Sequence, residues 1–408
     1  MTDRLYYTDS FLHKFDARVL SVEGGDGRTA ITLDRSAFYP TSGGQIFDTG
    51  WLEVEGEPPA RLRVTEVSEN EHTGEIVHFI DADAAVIREG IAVRGAIDAE
   101  RRRDHMQQHS GQHVLSGAFE KLYGFATVSF HMGDESCTID LAADAVTPAQ
   151  ITAAEYLANE VIAEDRPVGI RFATPDEALA LGVRKIPAAA REKLRLIDIQ
   201  DFDLNACGGT HVRSTGQIGS ILLRKTEKVR QGIRVEFVCG LRAVTTARRD
   251  FAMLTEAGAV FSTHIWDVPQ QARKAQEEIK AAQKAQHRLL EEVAEFEARQ
   301  LLNSASLRAS GKLVSKYFPG RDLTYIKLLA QKITMLEPAA AILGCGGAQP
   351  SLVFGQAKGQ PHDMGALMKK TVQALGTRGG GNRDMAQGGA PDGDSAERAV
   401  REAAAEIE

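Results

Sequence analysis

"DHMQQHSGQHVLSGAFEKLYG", from Asp104 to Gly124, reads as a helix with apolar residues around most of its circumference. Asp104 is a suitable N-cap and Gly124 a stop signal, so the helix is expected to run between them. A helix with so narrow a polar face has to be enclosed. Strand patterns nearby supply the enclosure: Thr127 to Leu141, and Gly216 to Gly240, where "IRVEFVCG" alternates cleanly. A second helix is expected over Pro148–Asp165. Together these segments predict an α+β domain over residues 99–242, a central helix wrapped by an antiparallel sheet.

On the N-terminal side, residues 1–98 read as strands and turns. "ARVLSVEGGDGRTAITLDRS" and "ARLRVTEVSENEHTGEIVHFI" alternate apolar and polar residues, which predicts a small antiparallel barrel or sandwich. Between them stands "FYPTSGGQIFDTG", Phe38 to Gly50, too rich in glycine and in specific polar residues to be only a strand.

On the C-terminal side, Pro269 to Leu302 is rich in Ala, Glu, Gln, Lys and Arg and favours one long helix, within a linker over 243–304. Its heptads are imperfect for a coiled coil. Residues 305–408 alternate helical and strand patterns as a small α/β domain. There "GTRGGGNRDMAQGGAPDGD" is expected to be a glycine-rich loop and "SAERAVREAAAEIE" a terminal helix.

The 408 residues, 43% hydrophobic and 25% charged, have the composition of a soluble globular protein. No apolar run approaches the length that crosses a bilayer, and the start lacks a signal peptide's apolar stretch, so the cytoplasm is the expected location. Four scattered cysteines make no disulfide framework. A net charge of -8 argues against a nucleic-acid partner until its distribution is seen. From Ala305 to Arg383 eleven Lys/Arg face three Asp/Glu, a local +8. A second basic cluster, "RKTEKVRQGIR", covers Arg224 to Arg234. A solvated face is the plainer reading of either.

His109 and His113 in "HSGQH" lie one helical turn apart and share a face, as two ligands of one metal ion must. Ser110 follows the first histidine, so the general base of an HExxH protease is missing. "LNACGGTHV", Leu204 to Val212, holds a second pair, Cys207 and His211. Three imidazoles and one thiolate suit a tetrahedral zinc, one per chain. The alternatives are a buried thiol beside an unrelated histidine, or a Cys/His nucleophilic pair. A complete four-ligand set is more often structural than catalytic.

"FYPTSGGQIFDTG", "HSGQH", "SFHMGDESCTIDL" and "DFDLNACGGTHVRSTGQIG", in this order, resemble the editing domain of alanyl-tRNA synthetase. "GTRGGGNRDMAQGG" resembles the signature of that enzyme's last domain, shared with the DHH phosphoesterases. No stretch has room for an aminoacylation core, so the chain resembles a freestanding alanyl-tRNA editing protein of the AlaX family, long form. The resemblance implies hydrolysis of the ester joining serine, and also glycine, to tRNA(Ala). It implies zinc on His109, His113, Cys207 and His211. Gln45, Thr41 and His131 become the candidate catalytic residues. Ser42, Gly43, Gly44, Arg378 and Gly380 become the candidate substrate contacts, the last two with tRNA, through a C-terminal domain that also dimerises. No ATP phosphate loop is present. A non-catalytic tRNA-binding module with a structural zinc remains the alternative. A phosphodiesterase lacks its Asp-His-His triplet.

Overall fold

The computed structural model describes residues 2–25, 28–54, 60–70, 72–183 and 193–407. Its first strand, β1 (Asp3–Arg4), pairs in parallel with β4 (Arg35–Ser36). Beside them β2 (Lys14–Gly25), β3 (Arg28–Leu33), β5 (Gly50–Val54), β6 (Ala60–Glu69), β7 (Ile76–Ile80) and β8 (Ala92–Ile97) close into a barrel, in the order β2-β3-β7-β6-β5-β8. Of the two expected forms, barrel and sandwich, the chain takes the barrel. Alternation decides which residues fill it. Leu52, Val54, Ile76 and Ile80 point inward, and so does His78. Part of the Gly24–Gly27 turn lies outside the described residues.

Helix α1 spans Ala99–Tyr123. It begins before Asp104 because the Glu-Arg-Arg-Arg run continues it back to Asp98, which stands at the N-cap. The Asp98 carboxylate is taken by Arg63 and Thr49 and makes no cap bond. Asp104 is instead bound by Arg242, at 2.6 Å. Gly124 ends the helix in the left-handed conformation, φ 70°, as its residue type requires.

Next come β9 (Thr127–Met132), β10 (Cys137–Leu141), α2 (Pro148–Ala163), β11 (Val168–Ala173), α3 (Pro175–Ala180), β12 (Leu194–Ile199) and β13 (Asp203–Ala206). After these, β14 (Ile221–Val229) and β15 (Gly232–Cys239) lead into α4 (Gly240–Val260). The sheet β14-β15-β10-β9 packs on α1, where Val114, Leu115 and Phe119 meet Ile139, Val235 and Phe237. Close approach needs Gly111, since a β-carbon there would stand 2.3 Å from the Cys239 sulfur. A second sheet, β11-β12-β13, carries the segment that leads to Cys207.

One buried ion pair ties barrel to helix. Arg102, with no exposed surface, binds Asp48 and also donates to the carbonyls of Ser10 and Ala37. Asp48 in turn accepts from Tyr39 N–H. The stem of the 41–45 loop is thereby fastened to the helix that carries the two histidines.

The chain divides into two compact units, Met1–Thr255 and Glu256–Glu408. The second unit contains α5 (Val268–Asn303), β16 (Ser306–Arg308), β17 (Gly311–Phe318), α6 (Leu323–Leu336), β18 (Ala339–Cys345) and β19 (Ser351–Gln356). It continues with α7 (Met364–Ala374), β20 (Gly379–Gly381), β21 (Met385–Gly389) and α8 (Gly393–Ala405). Its sheet runs β16-β17-β18-β19-β21-β20. Helix α5 is more than a linker, because Ala294, Ala298 and Leu302 are buried against α6. The glycine-rich stretch, expected to be a loop, forms an edge hairpin. Gly381 is needed there, since a β-carbon would meet the Met385 carbonyl at 2.2 Å. Among the described residues no helix is long and apolar enough to cross a membrane, and all four cysteines are free.

Candidate metal centre

Two elements meet at this site. Helix α1 presents His109 and His113 with rings stacked 5.4 Å apart. The turn after β13 presents Cys207 and His211. The four ligand atoms lie within 4.8 Å of one another, and the Cys207 sulfur stands 3.3 Å from Nε2 of both His109 and His211. A tetrahedral ion holding N and S at about 2.0–2.3 Å would set neighbouring ligand atoms ~3.5 Å apart, so the spacing fits one. A β-carbon on Gly209 would fall 2.2 Å from the His109 ring, so only glycine lets the turn close over it.

The outer contacts also fit a metal. Nδ1 of His109 meets Gln45 Oε1 at 2.7 Å, that of His113 meets Asp203 at 3.5 Å, and that of His211 meets Ser110 Oγ at 3.2 Å. The proton on His109 follows from chemistry. Thr210 N–H can only donate, and it reaches Gln45 Oε1 at 3.1 Å. That atom is therefore the oxygen, so His109 carries its hydrogen on Nδ1 and leaves Nε2 free for a cation. Gln45 Nε2 donates to Thr210 Oγ1.

Without an ion the site is charged. Burial opposes the Cys207 thiolate, but the imidazoles gathered around it outweigh burial and hold the thiol well below its ordinary range. Burial likewise opposes a charged His113, yet Asp203 and Cys207 raise its pKa to about 10. For His211 burial prevails over Cys207 and lowers the pKa to about 3. A thiolate and two carboxamide- or carboxylate-anchored imidazoles around one point make a cation site.

The 41–45 loop turns tightly beside the site. Ser42 and Gln45 exchange both backbone hydrogen bonds, at 3.0 Å, and Gly43 and Gly44 take φ of 56° and 82°. A β-carbon on Gly44 would meet the Phe130 carbonyl at 2.4 Å, and the Gly44 carbonyl accepts from Met132 N–H. Thr41, Ser42 and Gly43 are exposed. Gln45 is fully buried, with its amide held between His109 and Thr210. Strand alternation separates His131 from the cluster. Phe130 packs 5.3 Å from the His109 ring and Met132 is buried, which turns the exposed His131 to the other face.

Arg378 and Gly380 lie in the second unit, exposed on its glycine-rich edge. Beside them are cavities of about 460 and 310 Å³ that share Gly380 and Gln387, the larger also lined by Lys327. Two carboxylates from outside the stretch offset part of the local +8, since Lys316 and Arg321 approach Glu297 and Lys332 approaches Glu295, while Lys312 binds Glu337 within it. In the Arg224–Arg234 cluster three of the five basic residues are paired: Arg224 binds Asp250, Lys225 binds Glu227 and Arg234 binds Asp140. Sequence reading missed Asp203, Ser110, Thr210 and Arg195. The first three sit within or beside the two motifs. Arg195 carries no sequence signal, yet its guanidinium donates to the Cys207 and Gly209 carbonyls at 2.7 and 2.9 Å.

Residues 4–101 match the family model "tRNA synthetases class II (A)", and 194–235 match "Threonyl and Alanyl tRNA synthetase second additional domain". The alanyl-tRNA editing protein AlaX-L of Pyrococcus horikoshii is 29% identical, over 95% of this chain and 94% of that one. The alanine–tRNA ligase of Pyrococcus abyssi is 30% identical over 98% of this chain, which spans only 43% of the ligase. That of Ignicoccus hospitalis is 31% identical over 94% of this chain and 41% of its own length. Among solved structures, the C-Ala domain of Aquifex aeolicus alanyl-tRNA synthetase is matched at 19% identity and a TM-score of 0.22, over 24% of this chain and 90% of that domain.

Proposed function

The chain belongs to the alanyl-tRNA editing proteins of the long AlaX kind, and from that premise we propose that it is a cytoplasmic hydrolase that removes serine, and secondarily glycine, from tRNA(Ala). The gathering of His109, His113, Cys207 and His211 beside the exposed 41–45 loop carries this reading. Zinc is the ion that this donor set suits, one per chain. Bound there, it would supply Lewis-acid charge to the ester or to its attacking water.

The protein's own residues do the rest. An aminoacyl ester is already activated, so positioning and charge stabilisation suffice, and no ATP is called for. The exposed Thr41 hydroxyl is suited to bind the hydroxyl that separates serine from alanine. Gly43 and Gly44 let backbone form a close wall against alanine's methyl, which leaves room for glycine. In the second unit, Lys327, Arg378 and the open backbone at Gly380 are suited to the phosphates of the tRNA body. A homodimer through that unit remains part of the proposal. The test is incubation with tRNA(Ala) charged separately with serine, glycine and alanine. A purely structural zinc in a tRNA-binding module predicts release of none.

A further inference from the structure

Tyr7 ends a short 3-10 turn, Leu5–Tyr7, far in sequence from every motif above. Its ring is half-buried, and its hydroxyl faces the ligand turn: a β-carbon on Gly208 would stand 3.4 Å from Tyr7 Oη. Gly208 is exposed, and Cys207 is the least buried of the four candidate ligands, so this turn is the side of the cluster nearest solvent. Tyr7 is also fixed to both walls. Arg195 donates Nε–H to the Tyr7 carbonyl at 2.8 Å while its Nη1 holds the carbonyls of Cys207 and Gly209. Tyr6 packs edge-on at 5.2 Å against Tyr7 and against Tyr39, whose hydroxyl donates to the Ser42 carbonyl of the 41–45 loop.

Arg4, itself anchored by Glu69 at 2.5 Å, donates to Tyr7 Oη at 3.2 Å. Arginine has no acceptor, so the phenol must use its oxygen towards Arg4 and keep its own hydrogen for something else. Among the described residues no acceptor takes that hydrogen. We propose that the Tyr7 hydroxyl, oriented by Arg4, donates a hydrogen bond to the carbonyl oxygen of the aminoacyl ester as it becomes an oxyanion.

This inference rests on the hydrolase reading. In the step concerned, the oxygen of water bonds to the ester carbon and the C=O π pair moves onto oxygen, where Tyr7 O–H meets it. The double bond then re-forms, the bond to the ribose oxygen breaks, and the proton lost by water ends on that oxygen. The products are the free amino acid and the tRNA's terminal hydroxyl. Tyr7 loses no proton. It is a donor aimed at charge that develops only in the transition state.

The experiment compares the full zinc-loaded chain with Tyr7→Phe on seryl-tRNA(Ala), under single-turnover and steady-state conditions. Tyr7→Phe keeps the ring that packs on Tyr6, so folding and zinc content should be retained. The expected result is a fall in kcat of about 100-fold with KM changed by less than about two-fold. Arg4→Met should lower kcat in the same direction by a smaller factor. An active wild type with an equally active Tyr7→Phe, or with a change confined to KM, would overturn the inference alone. A wild type that hydrolyses no aminoacyl ester would overturn the reading beneath it as well.

Discussion

Gln45 and His109, 64 residues apart, meet at 2.7 Å through the amide oxygen and Nδ1. The barrel loop thus sets which nitrogen of a helix-borne imidazole is left bare. Gln45→Ala should therefore lower zinc affinity about 10- to 100-fold, the usual effect of losing an outer partner of a metal-bound histidine. Chelator competition measures it, with Cys207→Ala as the stronger reference. Undiminished affinity in Gln45→Ala would show that the contact is incidental, and full metal retention after changing both Cys207 and His211 would exclude the site.

The Arg102–Asp48 pair has no exposed surface on either side chain. Arg102→Met strands a buried carboxylate and empties the carbonyls of Ser10 and Ala37. Loss of one partner of such a pair costs about 3–5 kcal/mol. Urea unfolding should show it, and a loss below about 1 kcal/mol would mean the pair is solvated.

Acid should weaken the first unit in a defined window. Burial lowers the His78 pKa from 6.5 to about 4, so the folded barrel keeps this ring neutral. The unfolded chain regains the ordinary value and binds a proton as pH falls from 6.5 to about 4, which favours unfolding throughout that range. The loss reaches about 3 kcal/mol at its lower end. His105, also lowered by burial to about 4, adds in the same direction. Urea midpoints at pH 7 and pH 5 should differ in the wild type and differ less in His78→Gln. A wild-type midpoint that does not move would contradict the assignment.

The parts legible in the sequence were those with local chemistry. The two His/Cys pairs that the structure gathers, the N-terminal strands and the Gly124 stop are visible in residue type and spacing. What escaped depends on partners distant in the chain. Asp104 has the right type for an N-cap, but Arg242 claims it. The Gly379–Gly381 run resembles a loop until its pairing with Met385–Gly389 makes it a strand. Gln45 has the chemistry of a pocket residue, and only the fold shows its contacts with His109 and Thr210. His131 shares a strand with Phe130, and alternation decides which of them faces the metal site.

Thr41→Val keeps the side chain's shape and removes its hydroxyl. It should cut hydrolysis of seryl-tRNA(Ala) at least about 10-fold and leave glycyl-tRNA(Ala) hydrolysis within about two-fold. Deacylation rates on the two substrates separate the outcomes. Equal losses on both would place Thr41 at the common ester or water.

The most direct measurement is the ratio of kcat/KM for seryl-tRNA(Ala) to that for alanyl-tRNA(Ala), on the zinc-loaded full chain. A pocket that binds the extra hydroxyl predicts a ratio above about 100, with serine released as the free amino acid. A ratio near one, or no release of serine, would contradict the account.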